Sequence, residues 1–302
     1  MTDIFKSPRL ASEVEINERI FAIQRSFPFV KIRRAGRSVC ERPIYALTIG
    51  AMNAPAMFVG GTHGMEWASA LTVLRLCEDM AALYARRGAY VYGITVSDAL
   101  LHRGVVFLPL LNPDGYELRR RGRAACAARA RARSRFPNSD FPYWQSNARG
   151  VDLNRNFGAA FWEARRAAAK YGVVRPSPTR FGGPFPFSEP ETRAVKKLIA
   201  TCRPRSLFSL HSQGEEIYWR YGATPPEGSE YIAKTLAALT GYKLCEPETV
   251  ALGAGLKDWF IKRYDRPGFT IELGRGTNPL PYSDFDAIYE RVQKALLVAA
   301  VM

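Results

Sequence analysis

Short apolar runs alternate with stretches of helical periodicity along most of the chain. Residues 44–49 and 56–59 read as strands, and residues 67–84 place Leu71, Leu74, Leu76 and Leu83 at helical spacing. A strand is expected over 104–111. Beyond a long middle segment comes a helix over 189–202, with Ser188 as its N-cap and acids in its first turn. Strands over 207–211 and 269–273, and helices over 229–241 and 284–301, complete the pattern. Alternation of this kind predicts an α/β fold, a mixed and mostly parallel twisted sheet covered by helices on both faces. No internal repeat or linker interrupts it, so residues 1–302 are expected to form a single domain with a basic insertion around 119–136.

Candidate chemistry sits at the ends of the apolar runs. The chain has three histidines, and His63 stands in Gly60-Gly61-Thr62-His63-Gly64-Met65-Glu66-Trp67, three positions before a glutamate and just past an apolar run. An imidazole and a carboxylate at that spacing can converge on one divalent cation. His211 ends the run Ser206-Leu207-Phe208-Ser209-Leu210, and the carboxyl end of a strand is where open α/β sheets place their chemistry. His102 reads instead as a structural residue in a turn before the 104–111 strand. Thr270-Ile271-Glu272-Leu273-Gly274 puts a carboxylate inside an apolar strand, where an unpaired charge is costly and a neighbouring cation would offset it. Leu111-Asn112-Pro113-Asp114-Gly115-Tyr116-Glu117 reads as a turn after a strand. Gly150-Val151-Asp152-Leu153-Asn154-Arg155-Asn156-Phe157 is too polar for a buried strand or an amphipathic helix.

Together, H-G-M-E-W, N-P-D-G-Y, V-D-L-N-R-N-F, L-H-S-Q and T-I-E-L-G, in this order between residues 60 and 274, resemble the zinc carboxypeptidases of the carboxypeptidase A type, peptidase family M14. That type is itself a standard example of a catalytic His2Glu zinc set. Within the family, the segments from His211 to Trp219 and from Lys257 to Phe260 are similar to the bacterial γ-D-glutamyl-diaminopimelate peptidases, which act on cell-wall peptides. The resemblance implies one Zn2+ held by His63, Glu66 and His211, with Glu272 as the catalytic proton shuttle. It implies that Asp152 orients a ligand imidazole, that Asn154 and Arg155 hold a substrate's terminal carboxylate, and that Lys257 lines the floor of the specificity pocket. An ammonium there would favour a side chain ending in a carboxylate, as diaminopimelate does.

Two positions depart from the family pattern. Gln145 stands where many members have an oxyanion-stabilising arginine, a role for which Arg149 or an arginine of the 119–135 run could substitute. Val250 stands where the pancreatic type has a substrate-binding tyrosine. Neither departure touches the expected zinc ligands or Glu272. The expected function is a zinc-dependent metallopeptidase cutting an amide bond next to a C-terminal residue, with γ-D-glutamyl-diaminopimelate in murein peptides as the leading substrate. A general metallocarboxypeptidase and a catalytically weakened, zinc-containing peptide-binding module are the alternatives. Retention of Glu272 argues against the second.

Composition narrows the setting. With 47% hydrophobic residues in 302, the chain can bury a large core. No 18-residue apolar stretch suggests a membrane span, and the first residues lack an apolar run after a basic start, so a cytoplasmic protein is expected. Five scattered cysteines, odd in number and without a C-x-x-C, argue against a disulfide framework. The net charge of +15 is partly local, since eight arginines lie between Arg119 and Arg135. That run has no interleaved aromatic to stack on bases, so no nucleic-acid partner is expected. It reads as a solvated helix or insertion, with electrostatic steering of acidic peptides as a second role. The expected partner is a peptide or muropeptide substrate, and none of these features sets an oligomeric state.

Overall fold

A computed structural model describes residues 3–7, 9–126, 141–246 and 253–302. Its main sheet contains β1 (Lys31–Arg37), β2 (Pro43–Ile49) and β3 (Ala56–Val59). A small hairpin, β4 (Tyr90–Val91) with β5 (Ile94–Thr95), stands apart. The main sheet continues with β6 (Val105–Leu108), β7 (Ser206–His211), β8 (Glu216–Tyr218), β9 (Lys243–Cys245) and β10 (Gly268–Glu272). Across the sheet the order is β1-β2-β6-β3-β7-β10-β8-β9. The four central strands β6, β3, β7 and β10 are parallel, whereas β2 joins β6, and β8 joins β10, in antiparallel fashion. This is the mixed, mostly parallel sheet that the sequence pattern predicts.

Period-two alternation decides which face each strand residue covers. Phe58, Phe107, Phe208 and Phe269 belong to one core cluster, whereas their neighbours Met57, Val106 and Leu207 belong to another on the opposite face. Phe58 stacks on Phe107 at 5.7 Å and on Phe208 at 4.8 Å, and Phe208 stacks on Phe269 at 5.1 Å. These rings lie opposite one another in the ladders, so the aromatic row pins the register of all four central strands. The register has a chemical consequence, because it sets Glu272 of β10 directly opposite His211 of β7.

Helices cover both faces. On the aromatic side pack α1 (Glu13–Ser26), α2 (Trp67–Ala85), α3 (Val96–His102), α7 (Ser229–Thr240) and α9 (Phe285–Val301). On the other side α6 (Pro190–Cys202) and α8 (Leu256–Tyr264) contribute Val195, Leu198, Trp259 and Phe260. Among the described residues the remaining α-helices are α4 (Pro113–Arg121) and α5 (Phe161–Lys170). Among the described residues no helix is long and apolar enough to cross a membrane.

Several local expectations need correction. The strand expected over 104–111 ends at Leu108; beyond Pro109, which has no N–H to give a ladder, Leu111 and Asn112 donate to Gly60 and Gly61 carbonyls instead. The expected turn at 111–117 is the start of α4. Asn112 caps it, accepting from the Gly115 N–H at 2.9 Å, and Pro113 occupies the first helical turn. His102 ends helix α3 rather than sitting in a turn. At α6 the N-cap is Glu189, and the Ser188 hydroxyl donates to the Glu189 carboxylate and accepts from Asn156 instead of capping. Of the basic stretch, α4 carries Arg119 to Arg121 and a 3-10 turn spans Gly122–Ala125; residues 127–140, and Val250, lie outside the described residues.

One buried acid makes stability depend on pH. Glu191, in the first turn of α6, is fully buried, where it accepts from the Val39 N–H at 3.1 Å and the Asn147 amide at 3.2 Å. Burial, then the nearby Asp114, raise its pKa to about 8. Because the folded pKa lies above the unfolded one, the folded state holds the proton more tightly, and stability falls as pH rises from about 4.5 to about 8. Thermal melts between pH 5 and 9 should show a loss on the order of a few kcal/mol, and Glu191→Gln should flatten most of it.

Candidate metal centre and active-site cleft

The central strands deliver the reactive side chains to one end of the sheet. Leaving β3, the chain turns through Gly60 and Gly61 and crosses α4 so closely that a Cβ on Gly64 would lie 2.3 Å from the Gly115 carbonyl oxygen. That approach, open only to glycine, carries His63 over the carboxyl end of the sheet and leaves Glu66 at the N-cap of α2. The Glu66 side chain leaves its own helix uncapped and turns toward both histidines. His211 closes β7, the strand beside β3.

His63 Nδ1 lies 2.6 Å from Glu66 Oε1, and His211 Nδ1 lies 2.9 Å from Glu66 Oε2. One potential ligand atom from each of the three residues falls within 4.8 Å of the others. The outward nitrogens are also engaged: His63 Nε2 meets Asp152 Oδ1 at 3.2 Å, and His211 Nε2 meets the Ser209 hydroxyl at 3.1 Å. With a cation bound beside Glu66, Asp152 and Ser209 would hold the proton on each Nε2 and so free each Nδ1 lone pair for the ion. A two-imidazole, one-carboxylate set with its outer nitrogens held is the chemistry that a catalytic zinc ion requires.

Charges in the cluster are strongly coupled. Burial alone would raise the Glu66 carboxyl, but His63 and His211 hold it at about 2. Asp152, likewise buried, is held at about 2 by His63, Arg155 and the Arg180 backbone N–H. Burial opposes a charge on His63, yet the Glu66 and Asp152 carboxylates raise its pKa well above the usual imidazole value. Glu272 goes the other way: burial, then the Glu66 charge, push its carboxyl well above the ordinary carboxylate range.

A cleft of about 620 Å3 opens over this cluster. His63, Glu66 and His211 line it, with Glu272 reaching it from the next strand. Asn154 and Arg155 line it from a 3-10 turn, Leu153–Arg155, which Asp152 caps by accepting from the Asn154 N–H at 3.0 Å. Asn154 Oδ1 accepts from the Leu256 N–H at 3.0 Å, so its amide donors are the end left for a ligand. Gln145 lines the cleft too; its carbonyl oxygen accepts from the Thr179 hydroxyl, which leaves its amide N–H groups as the donors on that wall. Lys257 is only 5% exposed, and its ammonium donates to the Arg220 carbonyl at 2.6 Å and pairs with Asp258 at 2.5 Å.

The sequence pattern of the zinc carboxypeptidases, Peptidase M14, matches residues 16–295. The chain belongs to this zinc carboxypeptidase family. The carboxypeptidase chain is 33% identical over 287 residues to the uncharacterized protein YqgT of Bacillus subtilis, an overlap covering 93% of this chain and 74% of that one. It is 31% identical over 271 residues to gamma-D-glutamyl-L-diamino acid endopeptidase 1 of Lysinibacillus sphaericus, covering 89% of this chain and 66% of the relative. The structure of bovine thrombin-activatable fibrinolysis inhibitor in complex with tick carboxypeptidase inhibitor shares the fold, with a TM-score of 0.74 at 21% identity over 99% of this chain and 98% of that one.

All the site residues expected of a carboxypeptidase from the sequence converge on the cleft or its immediate support, but among the described residues the expected substitutes for the missing arginine do not. Arg149 is 3.5 Å from Glu189 and does not line the cleft. Arg119 donates to the Tyr282 hydroxyl and Arg120 pairs with Glu117, which also leaves them off its walls. The arginine that lines the cleft beside Gln145 and Thr179 is Arg180, whose guanidinium stacks over Tyr171 at 5.0 Å. Its backbone stands at φ 66°, and its N–H donates to Asp152 Oδ2 at 3.0 Å. Nothing in the periodicity marks this residue, because it lies in an irregular loop. Ser209 also escaped the sequence reading, although residues two apart on a strand share a face and His211 follows it at that spacing. Asn156 is structural: it is fully buried, donating to the Gly182 carbonyl and accepting from the Thr192 hydroxyl.

Proposed function

We propose that this metallopeptidase holds one zinc ion with His63, Glu66 and His211 and hydrolyses the amide bond between D-glutamate and diaminopimelate in murein peptides. The observation that carries the reading is a single cleft in which the two-histidine, one-carboxylate cluster faces Glu272, while Arg155, Arg180 and Lys257 line the same walls. A γ-linked murein tripeptide has a free α-carboxylate on its glutamate and two carboxylates on diaminopimelate, which suits three cations. The likeness to an endopeptidase named for γ-D-glutamyl-L-diamino acid bonds supports the same substrate class.

Zinc, when bound, supplies Lewis-acid polarisation of the scissile carbonyl and lowers the pKa of its water. Asp152 and Ser209 keep the ligand imidazoles turned with Nδ1 inward. Glu272 accepts a proton from water in the cleft and returns it to the leaving amine nitrogen, a task for which a carboxyl held above the ordinary range is suited. Asn154 donates from its amide while Arg155 grips the terminal carboxylate of the leaving residue in a two-pronged way. Gln145 donates to the carbonyl oxygen as charge develops, with Arg180 on the same wall and its guanidinium resting on Tyr171. Lys257 has three ammonium donors and two internal acceptors, so the distal carboxylate of diaminopimelate supplies the third.

The test is side-by-side digestion of L-Ala-γ-D-Glu-diaminopimelate and its lysine analogue. Diaminopimelate should be released faster, and Lys257→Gln should cut kcat/KM for that peptide by roughly 10- to 100-fold while barely changing the analogue. Equal turnover of both would remove Lys257 from the account. Turnover confined to ordinary α-linked peptides would replace the murein substrate with a general carboxypeptidase one.

A further inference from the structure

Away from the cleft, two cysteines 86 positions apart meet inside the fold. Cys40, in the loop between β1 and β2, and Cys126, just after the 3-10 turn that follows α4, have sulfurs 2.8 Å apart. They are 1% and 5% exposed and pack with Leu118, Trp144 and Ala148. Both carry thiols, and the backbone on either side is pinned. The Cys40 N–H donates to Asp114 Oδ2 at 2.7 Å, Arg42 Nη1 donates to Asp114 Oδ1 at 2.6 Å, and Arg42 Nη2 donates to the Ala125 carbonyl. Cys77 and Cys202 are buried in other clusters. The scattered, odd-numbered cysteines hide this pair, because folding and not sequence spacing brings it together.

We propose that Cys40 and Cys126 are a covalent modification site, forming an intrachain disulfide that ties the β1–β2 loop to the end of α4. The oxidant is a small-molecule disulfide such as oxidised glutathione. The Cys126 thiolate attacks one glutathione sulfur and expels a glutathione thiolate; the Cys40 thiolate then attacks Cys126 Sγ and expels the second. Two protein thiols lose two protons and two electrons, and the external disulfide gains them as two thiols. The order follows from the surroundings. Cys126 is acidified by its hydrogen bond from Cys40 and by Arg42, whereas the same contact and burial raise Cys40.

An Asp114 carboxylate oxygen and both sulfurs lie within 4.8 Å of one another, which raises a soft-metal site as the competing chemistry. Its oxygens are already taken: Oδ1 accepts from Arg42 and the Ser38 hydroxyl, and Oδ2 from the Cys40 N–H. A crosslink needs no carboxylate. It would leave in place the contacts by which α4 supports the metal loop. Asn112 donates to the Thr62 carbonyl at 3.1 Å, and Gly64 is pressed against Gly115.

Zinc-loaded protein incubated with oxidised glutathione should lose two of its five thiols under denaturing titration and yield one peptide pair linking Cys40 to Cys126. Its Tm should rise by roughly 5 °C, reversibly with dithiothreitol, while kcat at 25 °C stays unchanged. The Cys40→Ala/Cys126→Ala double variant should keep its activity and lose that Tm response. Peptide mapping of the wild type decides the matter even if the variant folds poorly. Retention of all five thiols, or glutathione adducts without the linked pair, would overturn the proposal. A second zinc ion per chain that is lost in the double variant would reassign the pair to a metal site.

Discussion

Glu272→Gln is expected to lower kcat for amide hydrolysis by about 10^3-fold or more while the protein still binds one zinc ion. The substitution preserves size and shape, and it removes only the ability to take up and return a proton. Glu272 stands one strand from His211 and is not one of the three clustered ligand candidates, so metal content should not move. The crowding of Glu272 against Glu66 also predicts that the metal-free variant is no less stable than wild type, since one of two neighbouring buried carboxyls becomes neutral. In the metal-free protein burial and Glu66 raise the Glu272 pKa, and bound zinc should lower it, so the acid limb of kcat/KM should lie below the metal-free titration of this carboxyl. Metal analysis and pH profiles on both proteins check these outcomes together. A variant that turns over unchanged would remove Glu272 as the proton shuttle, and one inactive through loss of zinc would move it into the ligand set.

His211→Ala is expected to weaken zinc binding on the order of 10^3-fold and to bring activity to background. It deletes one of three ligand candidates and takes a contact from the buried Glu66 carboxylate. Chelated wild type should recover activity when zinc is restored at micromolar concentration, whereas the variant should not. Asp152→Asn provides the graded control. It keeps the shape but removes the negative charge that faces His63 Nε2, so zinc affinity should fall only about 10- to 100-fold. Equal losses in the two variants would show that general unfolding, and not the ligand set, governs activity. Circular dichroism on each variant separates these outcomes.

The residues most legible in the sequence are those at ends of regular elements. His211 could be placed because an apolar run of β-strand length ends on it, and Glu272 because a charge inside such a run demands a partner. The stacking of Phe58, Phe107, Phe208 and Phe269 could not be read from spacing, yet it sets the register that puts His211 beside Glu272. Errors cluster where polar residues serve local geometry. Asn112-Pro113 has the signature of a helix start as well as of a turn, and the helix prevails because its cap bonds to Gly115 while its amide also holds the loop carrying His63. The polar edge strand β1, Lys-Ile-Arg-Arg-Ala-Gly-Arg, escaped because it shows no apolar alternation. Arg149 was near Gln145 in sequence, but its side chain answers to Glu189, and Arg180 reaches the cleft from a loop without periodicity. Lys257 was placed in the pocket from the family pattern alone; its internal partners Arg220 and Asp258 become visible only once the chain is folded.

Anomalous diffraction at the zinc edge from crystals of the zinc-loaded protein tests the central assignment most directly. One principal peak is expected, about 2.0–2.2 Å from His63 Nδ1, His211 Nδ1 and a Glu66 carboxylate oxygen, open on the side toward Glu272. Coordination through the Nε2 atoms, or a peak between Cys40, Cys126 and Asp114 with none at the histidines, would contradict it.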